Sequence, residues 1–199
     1  GAGVACNQGT LMFRKNSAGD PARVLADLLT AKGAGDTPEP GAPVSADPVG
    51  QNGGDRLLAL SFSSERPVLR EYDFGPAWEV LGHDPQEVDL SRLNSGAAPL
   101  LKDHRRDVDS QIGVVVSAQI TGGRGRAVVR FADTPDGNAM LARVRSGEVR
   151  NVSVGYAVRK LAPAGDHEGV PVVRATEWEA IEISLVATPA DPTVGVGRS

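Results

Sequence analysis

The sequence predicts a mainly β fold with helices, of the α+β class, over residues 55–199, behind an N-terminal stretch of different character. Three observations carry this. Two Val-rich runs, 111–120 and 126–132, flank Thr121-Gly122-Gly123-Arg124-Gly125, the pattern of a β-hairpin. One substantial helical pattern, opened by Thr134-Pro135, lies between strand-like runs. Residues 35–54 hold Pro, Gly, Ala, Asp and Ser but no Leu, Ile or aromatic residue, which marks a boundary.

Taken in order, Asp20-Pro21 reads as the N-cap and first residue of a short helix carrying Val24, Leu25, Leu28 and Leu29, ended by Gly33. The following segment cannot bury enough apolar surface to offset its ordering entropy and reads as a flexible linker. Residues 1–54 are therefore expected to form a helix and a Pro/Gly-rich linker, with the domain beginning at residue 55. Leu57 to Phe62 is the first expected strand. The helix after Thr134 carries Met140, Leu141 and Val144 and closes at Gly147. Runs 151–161, 170–175 and 177–187 complete the expected strands, giving a mostly antiparallel β domain with one helix inserted.

Composition narrows the function. Hydrophobic residues at 40% suffice for a core, but aromatics at 4% mean that Val, Leu, Ile and Ala must build it. A net charge of −4 with no long basic run gives no general attraction for nucleic acid. Cys6 is the single cysteine, so an internal disulfide and a thiolate metal cage are both excluded. No apolar run is long enough to span a bilayer as a helix. A soluble, intracellular protein without cofactor or metal is the expectation.

Three histidines limit the candidate bases. His83 lies in a polar turn, Leu81-Gly82-His83-Asp84-Pro85, and His167 in what reads as an exposed hairpin tip. His104 follows Pro99-Leu100-Leu101-Lys102-Asp103, a run that reads as buried and stops at the histidine, where a base would be held rigidly yet reachable; a solvated histidine in a charged stretch is the other reading. In Asn151-Val152-Ser153-Val154-Gly155-Tyr156, strand alternation puts Ser153 on a small, polar face, although an ordinary solvent-facing serine fits equally. A serine hydroxyl needs a hydrogen-bonded base to act as a nucleophile, and imidazole can supply it. On the last strand Ile181, Ile183 and Leu185 share one face, leaving Glu182 and Ser184 on the other. Glu182 could orient His104 or be solvated or paired with arginine; Glu179, in the other register, is the competing carboxylate.

Those stretches form an ordered series with others: Phe62-Ser63-Ser64-Glu65 with Pro67-Val68, Trp78-Glu79-Val80-Leu81, Val88 through Gly96, Pro99 through His104, Gln111-Ile112-Gly113, Asn151 through Tyr156, Trp178 through Val186, and Pro189-Ala190-Asp191-Pro192. The series resembles the prohead (capsid maturation) serine proteases of HK97-like tailed phages, over residues 56–198. The resemblance implies a herpesvirus-protease-like antiparallel β-barrel with flanking helices. It implies a catalytic Ser153–His104 pair with Glu182 as third member, and no cofactor. It implies cleavage of the scaffolding segment of the major capsid protein, or a separate scaffold, and of the protease itself, inside the prohead in the host cytoplasm. Capsid protein, portal and further copies of the chain are the implied partners, without nucleic acid or membrane. A catalytically silent assembly or scaffolding protein of the same fold is the alternative.

Overall fold

The structure, a computed structural model, describes residues 4–5 and 56–198. The helix and linker expected before residue 55 lie outside the described residues, apart from the two-residue strand β1 (Val4–Ala5).

The remaining strands are β2 (Leu57–Ser64), β3 (Val68–Tyr72), β4 (Gly75–Leu81), β5 (Val88–Asp89), β6 (Pro99–Lys102), β7 (Gln111–Thr121), β8 (Arg124–Phe131), β9 (Val152–His167), β10 (Val170–Leu185) and β11 (Gly195–Val196). One helix, α1 (Pro135–Arg145), is inserted between β8 and β9. Its start was legible in the sequence. The Thr134 hydroxyl accepts a hydrogen bond from the Gly137 N–H at 3.1 Å, and Pro135 occupies a position whose N–H would be unsatisfied in any case. Gly147, at φ 79°, follows its last turn.

The sheet runs β1-β9-β10-β6-β7-β8-β2-β11, with β3, β4 and β5 attached beside this path. It is mixed: among the described strands most pairings are antiparallel, as expected, and three are parallel. β10 pairs antiparallel with β9 but parallel with β4, β5 and β6 in turn. These parallel pairings join segments distant in sequence, and hairpin signatures cannot report them. Among the described residues the strand ladders trace an open path, and a bridge between Asn151 and Gly195 brings the β9 and β11 ends together.

β9 and β10 form a long hairpin of two 16-residue strands, turning at Glu168 and Gly169, both at positive φ. The break expected at Thr176 is an irregularity inside one continuous strand. A further irregularity falls between Ala180 and Glu182, leaving Ile181 without a partner in the β9–β10 ladder. It changes the alternation read from the sequence: Trp178, Ala180, Ile183 and Leu185 all face the core, whereas Ile181 is only half-buried.

The core gathers Phe62, Leu93, Leu100, Ile112, Val115, Val129, Phe131, Val152, Trp178 and Ile183. Fully burying one such aliphatic or aromatic side chain is worth about 1.5–3 kcal/mol, so these contacts fix the long hairpin against β6 and β7. Trp178 also satisfies its indole N–H by donating to the Gly82 carbonyl at 2.7 Å.

Candidate active site

The site begins where β6 leaves the core. Leu100 and Leu101 are buried, and Leu101 lies in register with Ser184 of β10. The chain then turns sharply through two consecutive left-handed residues, Asp103 at φ 48° and His104 at φ 57°. Such φ values are costly for non-glycine residues and persist only where the surroundings impose them. Here the Asp103 N–H donates to the Leu185 carbonyl at 3.0 Å, and its carboxylate accepts from the Ala187 N–H at 3.2 Å. The Arg105 N–H closes the turn on the Lys102 carbonyl at 3.0 Å.

This turn lays the imidazole over β10. His104 Nδ1 lies 2.6 Å from Glu182 Oε1, and the His104 backbone N–H donates to Ser184 Oγ at 3.1 Å. The Ser184 hydroxyl in turn donates to Glu182 Oε2 at 2.8 Å. Both carboxylate oxygens are thus engaged, and Ser184 ties the carboxylate to the histidine main chain. His104 is 7% exposed and Glu182 1%. The solvated reading of each is corrected: these are buried polar groups that require partners, and they have them.

Ser153 reaches the same place through register. In the β9–β10 ladder Ser153 pairs with Ser184, and Gly155 with Glu182. Directly opposed residues share a face, with Cβ atoms about 4.5–5.5 Å apart. The Ser153 side chain therefore neighbours the Ser184 hydroxyl that bonds both His104 and Glu182. Like them it is nearly covered, at 7% exposure. Gly155 supplies space, since a Cβ there would stand 2.2 Å from Glu182 Oε1.

Glu179 is engaged elsewhere. It pairs with Arg92 at 2.9 Å and with Arg159 at 2.8 Å. Of the two carboxylates weighed on sequence grounds, the structure brings Glu182, not Glu179, to His104.

Sequence reasoning missed several residues around the site. Ser184 was assigned to the Glu182 face without a role, and Gly155 was seen only as small. Adjacency of β9 and β10 in the chain was the available signal for both; their register was not readable. His83 was expected in a polar turn but is 4% exposed. Its Nδ1 lies 2.8 Å from the Leu81 carbonyl, which only an N–H can approach, so its Nε2 accepts from the Ser63 hydroxyl at 2.8 Å. This serine–histidine pair is shut in: both Ser63 and His83 are buried. Burial holds the His83 imidazole below its ordinary pKa.

Two hollows flank the site. A cavity of about 40 Å³ lies against the core face of β9, walled by Phe62, Val154, Tyr156 and Val194 among others. It adjoins a buried cluster in which Glu79 accepts from Tyr72 and Tyr156, while Arg70 donates to the Tyr156 hydroxyl at 3.1 Å. Burial and the Glu79 charge push both phenols far above their ordinary range, so they remain donors. A wider cleft of about 420 Å³, lined by Glu182, opens between Pro99, Leu101, Arg106, Val108 and Ile181.

A serine hydroxyl close to an imidazole that a carboxylate holds is the kind of constellation that activates a hydroxyl for acyl transfer. A family model described as caudovirus prohead serine protease matches residues 81–198, a span that includes His104, Ser153 and Glu182. Over 142 residues the chain is 39% identical to the major capsid protein of Halomonas phage phiHAP-1. That match takes in 70% of this chain but only 23% of the length of the curated relative. The solved structure of the bacteriophage T4 capsid assembly protease, gp21, aligns with a TM-score of 0.43 and 12% identity, over 67% of this chain and 98% of its own. With more than half of its length matched by the family model, the chain belongs to the caudovirus prohead serine protease family.

Proposed function

We propose that the protein is a serine endopeptidase of capsid maturation, with Ser153 as nucleophile, His104 as general base and acid, and Glu182 as the carboxylate that orients it. The observation that carries this reading is the 2.6 Å contact between His104 Nδ1 and Glu182, formed one cross-strand neighbour away from Ser153. With Nδ1–H committed to Glu182, the lone pair of the neutral ring is at Nε2, the atom that receives the Ser153 proton. Ser153 Oγ then bonds to the peptide carbonyl carbon, the C–N bond breaks, and the proton passes from His104 to the leaving amine. Water, deprotonated by the same ring, hydrolyses the acyl-enzyme and restores the Ser153 hydroxyl.

The substrates in this reading are scaffolding or capsid-protein segments, and the chain itself, inside the prohead in the host cytoplasm. The relative named as a major capsid protein supports contact with capsid protein; contacts with portal and between copies of the chain belong to the same reading. Barrel-like closure of the herpesvirus-protease kind also belongs to it, supported by the bridge between Asn151 and Gly195.

Co-expression with the major capsid protein, followed by mass analysis, tests this directly. Ser153→Ala should leave folding intact and abolish cleavage of both proteins; unchanged processing would remove Ser153 from the mechanism. The capsid name of the relative also favours a second reading, a catalytically silent assembly factor. Failure of a fluorophosphonate to label the folded wild-type chain would favour it.

A further inference from the structure

Ser153 is the second residue of β9. On one side β9 is paired with β10 along its length; on the other, the only described strand is β1. β1 runs antiparallel to β9, with Val4 opposite Ala157 and Ala5 opposite Tyr156. Just before β9, Asn151 bridges to Gly195. Among the described strands, none pairs with Val154 or Gly155 on that outer side. The outer edge of β9 therefore already holds a short extended piece of polypeptide, three residues from Ser153.

An edge strand offers a row of backbone donors and acceptors, and an extended peptide satisfies them by adding as a further strand. Main-chain bonds provide affinity with little regard to sequence, which suits an enzyme that must accept different chain segments. The register also fixes a direction. A strand entering as β1 does, and continued three residues past the Ala5 position, comes opposite Ser153. Its N-terminal part then lies along Ala157 to Val154, and its chain runs toward the hydroxyl.

We propose that the outer edge of β9 is a strand-addition site for extended polypeptide, which binds the substrate residues preceding the scissile bond, and that Val4–Ala5 of the chain itself is its resident, competing occupant. The substrate part of this proposal rests on Ser153 being the nucleophile; the binding part does not.

The test uses a fluorescein-labelled synthetic peptide of residues 1–8 and the full-length chain carrying Ser153→Ala, with and without Ala5→Pro, which removes a backbone donor from the resident strand. Fluorescence anisotropy should show several-fold tighter binding once Ala5→Pro is present. The same peptide N-methylated at Val4 and Ala5 should not bind. Hydrogen exchange should slow at Val154–Ala157 when the unmodified peptide is added, and this can also be read on the unaltered chain should Ala5→Pro perturb folding. Equal binding of both peptides, or protection elsewhere, overturns the proposal. Fluorophosphonate labelling of the wild-type chain separates the two readings. Peptide binding at β9 without labelling keeps the strand-addition site and removes the protease; labelling without peptide binding does the reverse.

Discussion

Gly155 lies directly opposite Glu182 across the β9–β10 ladder, and a methyl group on its Cα would stand 2.2 Å from Glu182 Oε1. That oxygen is the one bonded to His104. Gly155→Ala must therefore displace the carboxylate. A displacement of about 1 Å in such a constellation can cost about a hundredfold in rate. The expected result is a folded protein with kcat reduced by about that factor, measured on a peptide substrate alongside a thermal melt.

Ser184 joins Glu182 to the His104 main chain through two hydrogen bonds. Ser184→Ala leaves a buried carboxylate oxygen without its donor, a loss of about 1–3 kcal/mol in stability. A fall in kcat with KM little changed is expected, with Ser184→Thr restoring most of it. If Ser184→Ala loses only stability, with kcat intact, Ser184 does not position the pair.

The two carboxylates make opposite predictions. Glu182→Gln keeps the size of the side chain but loses the charge that holds His104; in a triad such a change costs about 10⁴ in kcat. Glu179→Gln removes only partly exposed ion pairs, each worth about 1 kcal/mol or less, and should leave kcat within about twofold. Steady-state kinetics of the two variants side by side decide the assignment.

His83 gives the fold a pH dependence. Burial lowers its folded pKa below the ordinary value of 6.5. Between the lowered pKa and about 6.5, the unfolded chain therefore binds more protons than the native one. Stability rises with pH through that window and is lost as pH falls below about 6.5. A melting-temperature series across mildly acidic pH should show the decline, and His83→Gln should flatten it. An unchanged slope in that variant would assign the effect to other groups.

The local rules were readable in the sequence wherever they depend on neighbours in the chain. The β7–β8 hairpin followed from alternation around a glycine-rich turn, and the capped start of α1 from Thr134-Pro135. His104 emerged by elimination among three histidines, and Ser153 was permitted by strand alternation, which puts it on a small, polar face. The ordered motifs that link them were equally a property of the linear sequence.

What the sequence alone determined is thus the inventory: which residues are candidates, in what order, and on strands of which character. Tertiary structure decided their meeting. The bulge at Ile181 takes that residue off the core face where alternation put it, while Ala180 and Ile183 both stay in the core and Glu182 shares the face of Gly155 and Ser153. The parallel pairing of β6 with β10 brings His104 over that carboxylate from 78 residues away. His83, which the local sequence placed in a turn, is buried beside Trp178 of β10. Alternation reports a side chain's face only while the ladder is regular, and no local pattern encodes which distant strands will pair.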